Sequence, residues 1–353
     1  MKTSLARTMV FGFTVVFLVC SGCADLPFGG PSVIVKRTQM HMGTLVSITT
    51  VGKTDQAANE AIDEGFKEIK RLERLLSTWI PESELSRVNA SAGAKPVKVS
   101  PETMTVVRRS LQIAEMTGGA FNIALGPAIE AWNISSEPRL PSNTELEALK
   151  SLVELRNVQA DVWERTIYLS RAGMRIDVGG IGKGYAADQA VMAMKKAGAR
   201  SGVVALSGDI KTFGSLPGGK KFPVGIRHPR REGEVLLSIN LENEAISTAG
   251  DYERYFEQNG VRYHHILDPA TLQPARECQS VSVVAKDGIL ADGLDTGIFV
   301  MGAQRGMELV EHLQNVEAVI VDSAGQVHIS SGLRTRVRFQ EESGPNAKIG
   351  TAQ

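Results

Sequence analysis

The chain has 353 residues, 42% of them hydrophobic, and its 39 Lys and Arg residues balance 39 Asp and Glu residues. This composition is typical of a globular protein with one large core or two ordinary ones. Because the charge is balanced and no long basic block occurs, no nucleic-acid partner is expected. An anionic ligand must therefore be held by a local group of residues.

The first 23 residues resemble a bacterial lipoprotein signal peptide. A positively charged start precedes an apolar run at residues 9–19, which has the length of a signal peptide and is short for a membrane span of about 20 residues. Two small residues stand directly before Cys23, although Cys20 occupies a position where leucine is usual. An ordinary secretory signal is the alternative. Acylation of Cys23 would anchor the protein in a lipid bilayer of the cell envelope, on the periplasmic or extracytoplasmic side.

The mature chain divides by composition into three parts. Residues 24–35 contain Gly and Pro without periodicity and are interpreted as a tether, and residues 36–340 are interpreted as the folded body. The polar segment 341–353 is expected to be a loose C-terminal tail. Since Cys278 is the only cysteine after Cys23, we expect neither an intramolecular disulfide nor a cysteine-rich metal site.

Hydrophobic periodicity predicts the first elements of the body. The β-branched run Thr44–Gly52 predicts a strand, and apolar residues at three-to-four spacing predict an amphipathic helix over Gln56–Leu76. Ser100 is a predicted N-cap for a helix over Pro101–Met116.

Further strands and helices follow in an irregular order. We predict strands at 162–170, 174–179, 202–208, 235–241, 245–250 and 280–286, and helices at 144–152, 186–199 and 291–301. This order indicates an α+β domain with mixed or antiparallel sheets and inserted helices, not a doubly wound parallel sheet.

A cluster of glycines surrounds Lys183 in the segment 175–190. Gly182, Gly184 and Ala187 fit the G-x-G-x-x-A pattern of dinucleotide-binding turns, after a predicted strand and at the start of a helix. The acidic residue expected about 20 positions later is absent, and no repeating βαβ pattern surrounds the turn. A Walker A loop is excluded because Gly184 stands where Ser or Thr should follow the lysine.

Three oxygen-bearing side chains share one face of the predicted helix at 291–301. Asp292, Asp295 and Thr296 stand at i, i+3 and i+4. Carboxylates and a hydroxyl, without His or Cys, favour a hard cation such as Mg²⁺ over zinc. The alternative is a first helical turn enriched in Asp because of the helix dipole.

Two other segments carry side chains suited to proton transfer or phosphate binding. In His264–Pro269, a predicted strand runs into an Asp-Pro turn that could hold a histidine at the edge of a cleft, where it could take a proton from a hydroxyl. Residues 245–256 include Ser247, Thr248 and Arg254, which could bind a phosphate or a ring edge. A plain strand and turn is the alternative for this second segment.

Eight motifs follow one another along the chain: MGTLVSI, STWIPESELSRVN, GGAFN, DVGGIGKGYAAD, SGDIKTFG, ISTAGDYERYF, HHILDP and ADGLDTG. Together and in this order they resemble the motifs of the ApbE family of FAD:protein FMN transferases. The resemblance spans about residues 42–302 and implies an ApbE-like flavin transferase fold. It also implies Mg²⁺-dependent transfer of FMN from FAD to a Thr or Ser hydroxyl of a partner flavoprotein, with release of AMP. Such partners carry a D-G-x-x-[ST]-[GA]-T motif and are similar to Nqr or Rnf subunits or to other extracytoplasmic flavoproteins.

The same resemblance implies roles for individual residues. Mg²⁺ would be held by Asp292, Asp295, Thr296 and the backbone carbonyl of Ala186. His265, in the H-I-x-D-P motif, would be the general base. Flavin contacts would be made by Met42, Trp79, Ala120, Phe121, Asn122, Lys183, Gln189 and Leu267.

The sequence departs from the family pattern at three positions. Trp79 stands where tyrosine is common, Asn122 where aspartate is common, and Phe222 where tryptophan is frequent. The first two positions bear on activity, because some members resemble FAD pyrophosphatases that release FMN and AMP. That hydrolytic reaction and a non-catalytic FAD-binding lipoprotein are the alternatives to transfer.

Overall fold

The computed structural model describes residues 32–339. None of the helices in this range is long and apolar enough to cross a membrane. The predicted signal peptide 1–23 with its acylated Cys23, most of the predicted tether, and the predicted tail 341–353 lie outside the described residues.

The described range contains eight α-helices and sixteen strands. The helices are α1 (Asp55–Leu76), α2 (Glu84–Ala90), α3 (Pro101–Met116), α4 (Gly126–Trp132), α5 (Asn143–Leu149), α6 (Gly182–Lys196), α7 (Gly288–Met301) and α8 (Ala303–His312). The strands are β1 (Val33–His41), β2 (Thr44–Gly52), β3 (Val97–Lys98), β4 (Val158–Asp161), β5 (Thr166–Leu169), β6 (Ser201–Leu206), β7 (Asp209–Phe213), β8 (Phe222–Arg227), β9 (Val235–Leu241), β10 (Ala245–Gly250), β11 (Tyr255–Gln258), β12 (Val261–His264), β13 (Cys278–Ala285), β14 (Val316–Asp322), β15 (Val327–Ile329) and β16 (Val337–Phe339).

An eight-stranded sheet with the order β1-β2-β6-β7-β10-β13-β14-β15 forms the centre of the molecule. Three small sheets, β16-β9-β8, β3-β5-β4 and β11-β12, surround it. All strand pairs in the described range are antiparallel. The α+β class with inserted helices is therefore confirmed, and the sheets, predicted to be mixed or antiparallel, are antiparallel.

The two faces of the large sheet belong to different parts of the core. On β6, Val204 and Leu206 pack in the main core with α1, α6 and α7, whereas Val203 and Ala205 pack with β8 and β9. Alternate side chains of a strand point to opposite faces. The sheet is thus covered by helices on one face and by the sheet β16-β9-β8 on the other, and the helical face positions the candidate site.

The predicted helix starts near the N-terminus are confirmed. Helix α1 begins after Thr54, whose side chain accepts a hydrogen bond from the N–H of Ala57 at 3.2 Å. Helix α3 begins after Ser100, whose side chain accepts from the N–H of Thr103 at 3.3 Å. Strands β2, β9 and β10 also have the predicted bounds. Capping side chains and strict periodicity are local signals, which explains the agreement.

The predicted strand at 174–179 is wrong, because these residues join no strand ladder. The buried amide of Asn89 replaces a neighbouring strand, accepting from the N–H of Ile176 at 2.8 Å and donating to its carbonyl at 3.0 Å. The N–H of Asp177 donates to the carbonyl of Ile123 at 2.8 Å. A distant side chain thus satisfies the backbone groups that a ladder would otherwise satisfy.

The bounds of α5, α6, α7, β6 and β13 differ from the predicted ones by one to four residues at an end. Two further differences concern β5 and the predicted tether. Strand β5 begins only at Thr166, because residues 162–165 form a turn whose N–H groups at 163 and 164 donate to the side chain of Asp161. Residues Val33–Val35, assigned to the tether 24–35, pair with β2 as part of β1. The folded body therefore includes residue 33.

Candidate active site

Helices α6 and α7 cross where each carries a glycine. A Cβ added to Gly184 would lie 2.2 Å from the carbonyl oxygen of Gly288, and a Cβ added to Gly288 would lie 2.6 Å from the carbonyl oxygen of Gly184. Any side chain at either position would push the two backbones apart. The glycine cluster thus lets the first turn of α6 approach the acidic residues of α7 closely.

Asp292 on α7 completes the N-terminus of α6. The residue before α6, Ile181, has no side-chain acceptor for the free N–H groups of the first turn. The carboxylate of Asp292 takes that role, accepting from the N–H of Gly184 at 2.8 Å. One of the predicted metal-binding carboxylates is therefore held in place by the backbone of the glycine turn.

Three buried carboxylates meet beside this crossing. Asp209, Asp292 and Asp295 each present a ligand atom within 4.8 Å of the other two. Asp292 and Asp295 come from α7, as their spacing predicts, whereas Asp209 is the first residue of β7. Asp209 is not among the metal ligands predicted from the sequence, although it lies in the SGDIKTFG motif. Only the pairing of β7 within the sheet places it beside α7.

Lys183 supplies a positive charge to this group. Its ammonium forms an ion pair with Asp209 and lies 4.0 Å from Oδ1 of Asp292. Ser247 of β10 donates its hydroxyl to the same Asp209 carboxylate. Although desolvation lowers the pKa of Lys183, the Asp209 and Asp292 carboxylates raise it above its ordinary value. The lysine therefore stays charged.

The carboxylates lack full charge compensation from the described side chains. Desolvation by burial raises the pKa of Asp292 to about 7, Asp209 adds to the rise, and Lys183 opposes it. Desolvation and the neighbouring carboxylates also raise the pKa of Asp295 well above its ordinary value. One ammonium cannot balance three close carboxylates, and these hard oxygen donors fit a divalent cation such as Mg²⁺.

The other two predicted metal ligands are Thr296, which contacts one of these carboxylates, and Ala186, whose carbonyl belongs to helix α6. The hydroxyl of Thr296 donates to Oδ1 of Asp295 at 3.1 Å, and it would lie 3.1 Å from a Cβ added to Gly180. Ala186 is fully buried within α6, where helix geometry directs its carbonyl to the N–H of Ala190. A cation could use only the second lone pair of that carbonyl.

His265 follows β12 and is partly buried. Its backbone N–H lies 3.1 Å and its Nδ1 lies 3.3 Å from the carbonyl oxygen of Arg254. A carbonyl only accepts, so Nδ1 carries the hydrogen and Nε2 keeps the lone pair. Among residues 32–339, Nε2 has no hydrogen-bond partner. Desolvation, with the charges of Arg254 and Lys183 and the neighbouring His264, lowers the pKa of His265 to about 3, so the imidazole is neutral at neutral pH.

The adjacent His264 has a structural role. It is buried, its Nε2 donates to the carbonyl of Ala275 at 2.7 Å, and its Nδ1 accepts from the N–H of Ile266 at 3.3 Å. Desolvation lowers its pKa to about 4. Both ring nitrogens are occupied, so of these two histidines only His265 offers a lone pair to a ligand.

Two predicted flavin-binding residues lie against the glycine turn. The methyl group of Met42 would be 3.8 Å from a Cβ added to Gly182. The ring of Phe121 would be 3.5 Å from a Cβ added to Gly180. An apolar side chain that was predicted to bind flavin therefore lies close to the glycine turn at each of these two positions.

Trp79 is exposed in a loop that is tied to the same turn. Its side chain is 75% accessible, and its neighbour Thr78 donates its hydroxyl to Oδ2 of Asp177 at 3.0 Å. Asp177 in turn accepts from the N–H of Gly179 at 2.7 Å. The large ring is thus available for stacking, on a loop fixed to the glycine segment.

The side chain of Asn122 is occupied within the protein. Its Oδ1 accepts from the N–H of Ala124 at 2.7 Å, and its Nδ2 donates to the carbonyl of Val153 at 2.9 Å. An aspartate could accept the first bond but could not donate the second. The amide at this position, where the family commonly has a carboxylate, therefore connects two segments of this chain.

The other three predicted flavin contacts lie outside the acidic cluster. Leu267 is buried in an apolar group with Trp132 and Leu272, so its side chain is directed into the protein. Gln189 and Ala120 are partly buried, and no contact described within 32–339 joins them to the carboxylates. Their predicted roles therefore remain predictions.

An antiparallel α+β domain that brings together three buried carboxylates, a paired lysine and a neutral histidine has the features of an enzyme active site. Residues 42–320 match the family model described as "ApbE family". This match covers well over half of the chain, and the chain therefore belongs to the ApbE family.

Named relatives and solved structures agree with this assignment. A Treponema pallidum protein named FAD:protein FMN transferase is 33% identical over 340 residues, which cover 91% of this chain and 94% of the relative. A Vibrio cholerae protein of the same name is 30% identical, with 86% and 91% covered. The structure of the ApbE protein from Thermotoga maritima superposes with a TM-score of 0.81 at 30% identity, covering 86% of this chain and 99% of the other. The Vibrio cholerae flavin transferase ApbE gives 0.78 at 27% identity, covering 87% and 100%.

Proposed function

We propose that the protein is an FAD:protein FMN transferase that requires Mg²⁺. It transfers FMN from FAD to the hydroxyl of a Thr or Ser in a partner flavoprotein and releases AMP. The observation that carries this proposal is the meeting of three buried carboxylates with Lys183, whose charge also helps to lower the pKa of the neutral His265, a histidine with a free Nε2. The names of the relatives support it.

The donors present fit a magnesium ion. Asp292, Asp295 and Thr296 would hold it with the backbone carbonyl of Ala186, and Asp209 offers a further carboxylate at the same place. When bound, Mg²⁺ supplies neutralisation of the negative charge on the pyrophosphate of FAD.

The protein's own residues account for the proton transfer. Nε2 of His265 takes the proton of the acceptor hydroxyl while the hydroxyl oxygen bonds to the phosphorus of the FMN half. The bond from this phosphorus to the bridging oxygen breaks, and its electron pair leaves with AMP. Lys183 offsets the charge that develops. A general base contributes about 100-fold to 10,000-fold.

The flavin and adenine rings of FAD require apolar surfaces. Met42 and Phe121 line the glycine turn, and the exposed ring of Trp79 is suited to stacking on a flat ligand. Such ring contacts contribute roughly 0.5–1.5 kcal/mol beyond area burial. Trp79 stacks without the hydroxyl of the tyrosine that is common at this position.

The cellular setting of the reaction is part of the proposal. The sequence before residue 24 supports acylation of Cys23 and attachment to a membrane of a bacterial envelope, facing the periplasm or the outside. The acceptors would be extracytoplasmic flavoproteins with a D-G-x-x-[ST]-[GA]-T motif, similar to Nqr or Rnf subunits.

Mass spectrometry of an acceptor tests the proposal directly. The form lacking residues 1–23 is mixed with FAD, Mg²⁺ and a domain that carries the motif, and the acceptor is weighed. We expect a gain of one FMN on its threonine that is lost with a chelator and with Asp292→Ala. Release of FMN and AMP without labelling would show hydrolysis, and intact FAD would show a binding protein.

His265→Gln separates catalysis from binding. The variant should bind FAD like the parent, because Nε2 of His265 acts on the acceptor hydroxyl. We expect the transfer rate to fall by about 100-fold or more. A folded His265→Gln variant that transfers FMN at the parent rate at neutral pH would reject the role of general base.

A further inference from the structure

Asp188 on α6 binds the N-terminus of the helix that carries the candidate metal ligands. Its Oδ1 accepts from the N–H of Gly288 at 2.9 Å, and its Oδ2 accepts from the N–H of Ile289 at 3.0 Å. These are the first two residues of α7. Asp287, which directly precedes the helix, makes no side-chain capping bond. The cap of α7 is thus supplied from α6.

The capping is reciprocal. Asp188 of α6 caps α7, and Asp292 of α7 accepts from the N–H of Gly184 in the first turn of α6. The backbone contact between Gly184 and Gly288 lies between these two sets of bonds. Two caps in opposite directions, across a contact without side chains, fix both the sliding and the rotation of one helix against the other.

This arrangement determines where the carboxylates stand. Asp292 and Asp295 lie in the second turn of α7, whereas Lys183 and Ala186 lie on α6. A shift of α7 against α6 would move the carboxylates relative to both. Outer groups that orient metal ligands typically contribute 10-fold to 100-fold to metal affinity.

We propose that Asp188 is a positioning residue for the metal site. By holding the first turn of α7 against α6, it sets Asp292 and Asp295 for the cation. The inference rests on the proposed function for the existence of a Mg²⁺ site, but it assigns a role to a residue that is not itself a ligand.

A neighbouring lysine offers a second explanation for any change in metal binding when Asp188 is replaced. Nζ of Lys211 lies 3.4 Å from Oδ1 of Asp188, and it donates to the carbonyl of Lys286 just before α7. Removing Asp188 therefore removes an ion pair as well as a cap. Lys211→Met removes the ion pair and leaves the capping carboxylate in place.

Binding of Mn²⁺, followed by electron paramagnetic resonance, tests the proposal without activity. The form lacking residues 1–23 and its variants are compared well below their unfolding temperatures. Asp188→Ala should weaken Mn²⁺ binding about 10-fold or more, and Asp188→Asn should weaken it less, because the amide oxygen still accepts one N–H. Asp287→Asn removes a nearby charge without a capping bond and should bind like the parent. Lys211→Met should weaken binding less than Asp188→Ala.

The outcomes distinguish this inference from the proposed function. A parent protein that binds no Mn²⁺ would refute the metal site itself. A parent that binds, with a folded Asp188→Ala variant of equal affinity, would overturn the role of Asp188 alone. Equal losses in Lys211→Met and Asp188→Ala would assign the effect to the ion pair and also overturn it. If Asp188→Ala does not fold, unchanged affinity in Asp188→Asn overturns the proposal.

Discussion

Replacing Gly184 by alanine tests whether the close crossing of α6 and α7 builds the site. The new Cβ would lie 2.2 Å from the carbonyl oxygen and 2.5 Å from the carbonyl carbon of Gly288, and 2.7 Å from Cβ of Asp292. Ordinary contact begins at about 3.4 Å, so the two backbones must separate by more than 1 Å. Such a shift would also stretch the bond from the Gly184 N–H to Asp292.

The expected cost follows from two opposing effects. Alanine favours a helix by about 1 kcal/mol relative to glycine, whereas overpacking typically costs about 1–3 kcal/mol. The atoms in the way are mainly backbone and cannot rotate aside, so the cost should lie at the upper end of that range. We expect a net loss of about 1–2 kcal/mol in the free energy of unfolding, together with weaker metal binding because Asp292 moves.

Denaturant unfolding and Mn²⁺ titration measure both effects on the same protein. Gly182→Ala is the matched control, since it changes the same turn in the same way. Its Cβ would meet nothing closer than 3.6 Å, so it should keep or slightly raise stability and bind Mn²⁺ like the parent. A Gly184→Ala variant that is as stable and binds Mn²⁺ as tightly as Gly182→Ala would refute the reasoning.

Three further outcomes follow from buried polar groups. Asn122→Asp should destabilise the protein by about 1–2 kcal/mol, because a carboxylate faces the Val153 carbonyl instead of donating to it; denaturant unfolding at pH 7 with no loss of stability would contradict this. Burial raises the pKa of Cys278 to about 12, so in the form lacking residues 1–23 this sole cysteine should resist a thiol reagent at pH 8 until the protein unfolds, and rapid native labelling would count against burial. Between pH 6.5 and 4, His264 is protonated in the unfolded chain but stays neutral in the folded chain. The free energy of unfolding should therefore decrease as the pH is lowered, by up to about 1.4 kcal/mol per pH unit from this residue. His264→Asn should remove the share of that dependence that comes from His264, while His265, whose pKa is also lowered, keeps its own share; an unchanged pH profile would show that His264 titrates normally.

Local signals predicted much of the fold. The cap at Ser100, the apolar spacing of α1 and the strand patterns of β2, β9 and β10 depend on residues a few positions apart, and the structure agrees with them. The predicted strand at 174–179 is wrong, because the backbone of this segment bonds to a distant side chain and not to another strand. There the amide of Asn89, 87 positions away in sequence, satisfies the backbone of Ile176, and no periodicity reports such a bond.

The candidate site also contains residues that local spacing predicts and residues that only the fold brings together. Asp292, Asp295 and Thr296 share a helix face, so their spacing was sufficient to propose them as a group. Asp209 was not proposed, because it reaches this group only through the pairing of β7 in the sheet. The motif resemblance selected His265, but the free lone pair on its Nε2 follows from the bond of Nδ1 to Arg254.

The amino-acid sequence by itself determined the α+β class, the family, and the helix face that carries two carboxylates and a hydroxyl. The tertiary structure decided that the glycine turn brings α6 onto α7, that Lys183 pairs with Asp209, and that each helix caps the other. The physical reason is range. Propensity, caps and periodicity act over a few residues, whereas the charge balance of a buried site depends on groups that only folding brings together.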